Sequence, residues 1–108
     1  MANISFDEFA KLELRVGEIK SAGVVNNSDK LLKLEVSFGD EVRQVISGIA
    51  KYYKPEELIG KQFVFVINLD PRKIMGLESQ AMILAADVDG EAVCLVPSKE
   101  VPTGTKIR

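Results

Sequence analysis

The chain contains no histidine and a single cysteine, Cys94. Without a second Cys no disulfide can form within the chain, and without His no Cys/His zinc site can be assembled. The same absences remove the Ser-His and Cys-His pairs used in nucleophilic catalysis. A phosphate-binding loop is missing too, because Pro55 stands where its first Gly belongs and Gln62 follows Gly60-Lys61 in place of Ser or Thr. No apolar run approaches the roughly 20 residues that cross a bilayer as a helix. The amino-terminal stretch lacks the basic-then-apolar pattern of a secretory signal, with Asp7 and Glu8 arriving early. Carboxylate pairs such as Glu56-Glu57 lie in a polar run that reads as solvated, where nothing tunes them for acid–base work. These absences lead us to expect a non-catalytic, cytoplasmic protein with neither metal nor cofactor and no membrane attachment.

An excess of positive charge is also lacking. Fourteen Lys and Arg face 16 Asp and Glu, for a net charge of −2. Crude attraction of the whole surface to a polyanion is therefore excluded. The distribution is uneven, since residues 30–73 hold eight Lys/Arg against six Asp/Glu, while the remainder holds six against ten. At 46% hydrophobic and 28% charged over 108 residues, the composition fits one globular domain with one core.

Ser5-Phe6-Asp7-Glu8 matches the capping-box pattern, with Ile4 and Phe9 at the hydrophobic-staple positions, so a short helix is predicted there. In "KLELRVGEIKSAGVV", Leu12, Leu14 and Val16 alternate to one face, but Ile19 is out of phase by one. The phase changes at Gly17, which predicts a β-bulge in a long first strand. Asn26-Asn27-Ser28 is formally a glycosylation sequon but reads as a turn. Leu32, Leu34, Val36 and Phe38 alternate with polar residues as a half-buried strand, and Gly39-Asp40 turns it into "EVRQVIS". Pro55 and Gly60 bracket one or two helical turns. "QFVFVIN" is apolar on both faces and predicts a buried strand. "MILAADV" and "EAVCLV" then flank Asp89-Gly90, a type I′ hairpin turn, and Pro97 and Pro102 bracket an irregular tail.

Three strands, a short helix and two or three further strands make an all-β chain whose sheet edges must be covered or closed. The OB-fold, a five-stranded Greek-key barrel that binds oligonucleotides, matches that order. An SH3-like barrel is the alternative; the helix between the third and fourth strands favours the OB-fold.

The stretch "NLDPRKIMGLESQAMILAA" is the least explained by folding alone. A loop built only for turning would use Gly, Asn, Asp and Ser. Here Arg72, Lys73, Ile74 and Met75 come together, followed by Ser79 and Gln80. In one reading the apolar pair tucks into the core and the cations are solvated. In the other the stretch is a contact surface: cations for phosphates, Met75 packing adaptably, Ser79 and Gln80 hydrogen bonding. Lys33 points away from the core by alternation, on the face OB-folds use for binding, with Lys30 before it and Arg43 on the same hairpin. Tyr52-Tyr53 either stack bases or anchor the following helix. Cys94 reads as a small core residue.

Four spaced blocks carry a resemblance: "LRVGEI", "SDKLLKLEV", "RQVISGIAKYYKPEELIGK" and "NLDPRKIMGLESQAMILAA". They resemble the free-standing tRNA-binding proteins, a domain also found at the C-terminus of many methionyl-tRNA synthetases, and the likeness spans residues 6–108. It implies an OB-fold that binds tRNA by shape, as an accessory to a synthetase of the methionyl type or alone, and it implies a homodimer. The implied contact residues are Lys30, Lys33, Arg43, Ser47, Asn68, Arg72, Lys73, Met75, Ser79, Gln80 and Met82. Three features depart from the family pattern: Ala81 where relatives usually carry Gly, Asn26-Asn27-Ser28 in place of His-Pro-Asn, and Asp70 where relatives often carry Lys. A secretion-related chaperone family shares the fold, which makes a peptide groove the alternative function.

Overall fold

The computed structural model describes the whole chain, Met1 to Arg108. Helix α1 (Phe6–Ala10) starts where the capping box places it: the Glu8 amide donates to Ser5 Oγ at 3.1 Å. Strand β1 (Leu14–Val24) is the longest element and pairs with three others. β2 (Leu32–Ser37) and β3 (Val42–Ser47) form the predicted hairpin over Gly39-Asp40, with Gly39 at φ +95° and the Phe38 amide donating to the Glu41 carbonyl. Helix α2 (Pro55–Leu58) ends before Gly60, whose φ of +83° suits Gly alone without strain. β4 (Gln62–Val66) follows as the buried strand.

The stretch from residue 72 to residue 79 is not a loop. It is a hairpin of β5 (Arg72–Ile74) and β6 (Leu77–Ser79), turned by Met75 at φ +50° and Gly76 at φ +79°. Two consecutive positive φ values define the type I′ turn, ordinarily an Asn-Gly site. The apolar stretch after it is split in two. β7 (Met82–Ile83) pairs with β4, then the chain turns outward at Leu84 into β8 (Ala85–Val88), which pairs only with β9 (Glu91–Cys94). Asp89-Gly90 makes their predicted I′ turn, at φ +51° and +91°. The tail is irregular except for β10 (Lys106–Ile107), which returns to pair with Leu14 and Arg15 of β1.

Hydrogen-bonded order in the main sheet is β3-β2-β1-β4-β7, a five-stranded path that curls into a barrel of the OB type, with β10 added beside β1. Phe65, Ile19, Leu32, Leu34, Leu58, Val36 and Val45 fill it. The Phe38 and Phe65 rings meet edge to face at 5.4 Å, the arrangement their quadrupoles favour. Leu58 of α2, fully buried, closes one end.

The predicted bulge is displaced. Gly17 sits in an unbroken ladder with Phe63, and the register of β1 shifts instead between Ile19 and Ser21, against β2. The apparent change of phase at Gly17 has another cause: the outer face of early β1 is covered too. Val16 is buried there, its amide donating to the Thr105 carbonyl, while Gly17 and Ile19 face the core. Gly17 is small because a Cβ would lie 2.6 Å from Val36 Cγ1 and 2.7 Å from Phe38.

Candidate nucleic-acid interface

The barrel closes between β3 and the chain leaving β6, and side chains complete the closure. The Gln80 amide donates to the Gln44 carbonyl at 2.8 Å, and Gln80 Oε1 accepts from the Gln44 amide at 2.9 Å. Gln44 Nε2 donates to the Glu78 carbonyl at 2.8 Å. Ser79 Oγ accepts from the Ile46 amide at 3.0 Å and donates to the Ala81 carbonyl at 3.0 Å. Ser79 is 8% exposed, so its hydroxyl stands in for a strand partner that the backbone does not supply.

Two more of the expected contact residues hold the barrel together. Arg43 pairs with Glu41 at 2.7 Å and donates to the carbonyls of Ile67 and Gln80. Asn68 Oδ1 accepts from the Glu13 amide at 2.7 Å, and Asn68 Nδ2 donates to the Lys11 carbonyl at 2.6 Å. That fixes the link between α1 and β1. Ser47 is half-buried at the end of β3, opposite Leu32. Arg43 and Lys33 do not share a face: Arg43 pairs with core-facing Val36, whereas Lys33 pairs with Ile46.

The remaining expected residues form a different group. Lys30, Lys33, Arg72 and Lys73 are exposed, and none takes part in the chain's three ion pairs. Met75 at the hairpin tip is 58% exposed and Met82 is 45% exposed. Between the β5–β6 hairpin and the barrel lies a cleft of about 100 Å³, lined by Ile46, Leu69, Asp70, Arg72, Ile74, Ser79, Ala81 and Met82. Alternation along β5 turns Arg72 and Ile74 to this cleft and leaves Lys73 on the other side, opposite Glu78. Ile46, on the cleft wall, is the register partner of Lys33, so that cation stands one strand away. Sequence reading missed the cleft because four of its walls, Ile46, Leu69, Ile74 and Ala81, look like ordinary core or loop residues until the hairpin folds over them.

Both tyrosines are anchors. Tyr53 Oη accepts from the Cys94 amide at 3.0 Å and Tyr52 Oη donates to the Gly90 carbonyl at 3.0 Å, tying the β8–β9 hairpin to the segment before α2. Cys94 is buried, and burial pushes its thiol pKa above the ordinary range, with the Tyr53 hydrogen bond acting in the opposite sense. Glu57 accepts from the Lys54 amide as a helix cap. No His, Cys, Asp or Glu group of metal-binding size is assembled anywhere in the chain, and no helix is long and apolar enough to cross a membrane.

A small β-barrel with unpaired cations beside an apolar surface cleft is the architecture of an OB-type binding module. The chain belongs to the tRNA binding domain family, whose profile matches residues 14–106. It is 56% identical over 105 residues to a methionine–tRNA ligase of Methanothrix thermoacetophila, and 55% identical over 109 residues to that of Thermococcus kodakarensis. These matches cover 97% and 100% of this chain but only 16% and 15% of the ligases. Among solved structures, a MetRS-related protein from Pyrococcus horikoshii superposes with a TM-score of 0.95 at 42% identity, covering both chains completely. The chaperone CsaA of Bacillus anthracis superposes at 0.89 with 36% identity, covering 99% of this chain and all of the other.

Proposed function

We propose that this chain is a non-catalytic module that binds tRNA through Lys30, Lys33, Arg72 and Lys73, with Met75 and Met82 packing on the RNA. The observation that carries this reading is the division of labour among polar residues. Arg43, Asn68, Ser79 and Gln80 are committed to barrel bonds, whereas these four cations have no ion-pair partner in the protein. A few scattered cations suit a recognition that rests mainly on RNA shape and backbone. The membership of the family and the likeness to part of the methionine–tRNA ligases support the same reading. Its setting is the cytoplasm, beside a methionyl-type synthetase or alone.

A homodimer fits two apolar surfaces that the monomer leaves bare. Helix α1 buries none of its residues, and Phe6 is 76% exposed beside Ile4 at 65%. A five-residue helix has no stability of its own in water, so packing must hold it. Val88, Val93, Leu95 and Val96 on and after the β8–β9 hairpin are also exposed. A second copy covering these faces would remove the apolar area from water. Sedimentation at micromolar concentration tests this: wild type should run as a dimer and Phe6→Asp as a monomer.

The apolar cleft and the likeness to a chaperone favour one competing reading, a groove for peptides. Salt separates the two. Titration with a mixed tRNA pool and with duplex DNA of equal charge, at 50 and 200 mM salt, should show binding of most tRNAs, much weaker DNA binding, and a steep salt dependence. Unfolded peptide bound equally at both salt concentrations, with no competition from tRNA, would establish the groove instead.

A further inference from the structure

The cleft beneath the β5–β6 hairpin carries chemistry that backbone recognition does not use. Its walls include Ile46, Ile74 and Met82, and two exposed charges border it, the Asp70 carboxylate and the Arg72 guanidinium. Those charges stand two residues apart, yet the chain's ion pairs are Arg15–Glu13, Lys20–Glu18 and Arg43–Glu41. Asp70 and Arg72 are therefore both free to meet a ligand. The third polar wall residue, Ser79, has its hydroxyl engaged by Ile46 and Ala81.

A carboxylate only accepts and a guanidinium only donates. Guanine is the RNA base whose rim carries a donor pair and an acceptor pair next to each other. Its N1–H and N2–H are adjacent donors that match a carboxylate, and its O6 and N7 are the acceptors Arg meets most often. Adenine and cytosine place a ring-nitrogen lone pair beside their amine, which would face the carboxylate. Uracil offers a single N–H between two carbonyls. The apolar walls suit the face of a flat ring, as Met side chains commonly do at adaptable binding surfaces.

We propose that this cleft takes one unstacked guanine of the bound RNA, with Asp70 accepting from N1–H and N2–H, Arg72 donating to O6 or N7, and the ring against Ile74 and Met82. The proposal rests on the tRNA-binding reading and adds one point of base recognition to it. Lys30, Lys33 and Lys73 then serve the phosphates while Arg72 serves the base.

Methyl NMR titration of the full chain with single-stranded RNA hexamers tests it. The strands are all uridine except for one central guanine, inosine or adenine. The guanine strand should shift the Ile46, Ile74 and Met82 methyls and bind about 5- to 150-fold more tightly than the adenine strand. Inosine, which lacks the N2 amine, should fall between them. In Asp70→Asn the guanine preference should drop to about twofold or less, because one oxygen of the acceptor pair becomes a donor. A tRNA pool titrated in parallel separates the two levels of the account. If tRNA binds but guanine and adenine strands bind alike, or an apolar peptide moves these methyls and guanine does not, the guanine site is wrong and tRNA binding stands. If neither tRNA nor any hexamer binds, the underlying tRNA reading fails and the guanine site falls with it.

Discussion

Ser79 Oγ lies 3.0 Å from the Ile46 amide, joining residues 33 apart in sequence across the seam of the barrel. The hydroxyl takes the place of a backbone carbonyl where β6 gives way to β7, so a residue from a surface hairpin becomes part of the fold. Closure and the proposed contact surface therefore meet in one short segment: Arg72 and Ser79 are partners on the cleft face of the hairpin, Met75 is exposed at its tip, and Gln80 bonds across the seam.

Removing that hydroxyl should be a stability lesion rather than a binding lesion. Ser79→Ala leaves the buried Ile46 amide and the Ala81 carbonyl short of partners. We expect a loss of about 1–3 kcal/mol by urea denaturation. RNA affinity of the folded protein should stay within about threefold of wild type at a seam that leaves the free cations untouched. An unchanged denaturation midpoint would mean that water replaces the hydroxyl.

Met75 holds a left-handed conformation, φ +50°, where Asn or Gly is ordinary. An unbranched apolar side chain there costs about 1 kcal/mol, and a local rule broken on an exposed hairpin motivates a functional test. Met75→Asn should raise stability by roughly 0.5–1 kcal/mol while weakening tRNA binding. A variant that is stabilised with undiminished affinity would show that the tip does not touch RNA.

Gly17 faces a core with no room for a methyl group. Gly17→Ala places a Cβ within 2.7 Å of both Val36 and Phe38, on rigid ring and β-branched atoms. Overpacking of that kind costs about 1–3 kcal/mol, readable as a lowered Tm. A neutral result would place the β1–β2 contact further apart than it stands here.

The Cys94 thiol gives a pH dependence with a definite sign. Burial raises its folded pKa above the unfolded value of about 8.5, so its contribution to stability is complete below that pH and is lost as pH rises through the folded pKa. Native protein should therefore react with a thiol reagent at pH 8 far more slowly than urea-unfolded protein. Cys94→Ala should reduce the alkaline slope of stability, leaving the part that the raised pKa of Tyr53 contributes at higher pH. Equal reaction rates in the two states would contradict the burial.

What the sequence made legible was local. Gly39-Asp40 and Asp89-Gly90 announced their hairpins because their residues suit positive φ, and Ser5 with Glu8 announced α1 because both bonds lie within one turn. Met75-Gly76 concealed a third hairpin because its first central residue is one that turns avoid. Gly17 looked like a bulge because alternation assumes one covered face, and early β1 has two. Within the candidate site, the exposed cations were legible as such. The roles of Ser79, Gln80, Arg43 and Asn68 depend on partners 24 to 57 residues away, which no local pattern encodes.

The central claim is that the free cations, not the polar residues of the seam, hold tRNA. Its most direct test is a filter-binding titration of a mixed tRNA pool against wild type and Arg72→Ala/Lys73→Ala at 50 and 200 mM salt. Wild type, making three or four phosphate contacts, should lose roughly 20- to 150-fold in affinity between those salt concentrations. The double variant should bind all tRNAs more weakly, with the salt slope reduced by about one or two contacts. Equal affinity and an equal slope in the two proteins, or a loss confined to one tRNA species, would contradict the account.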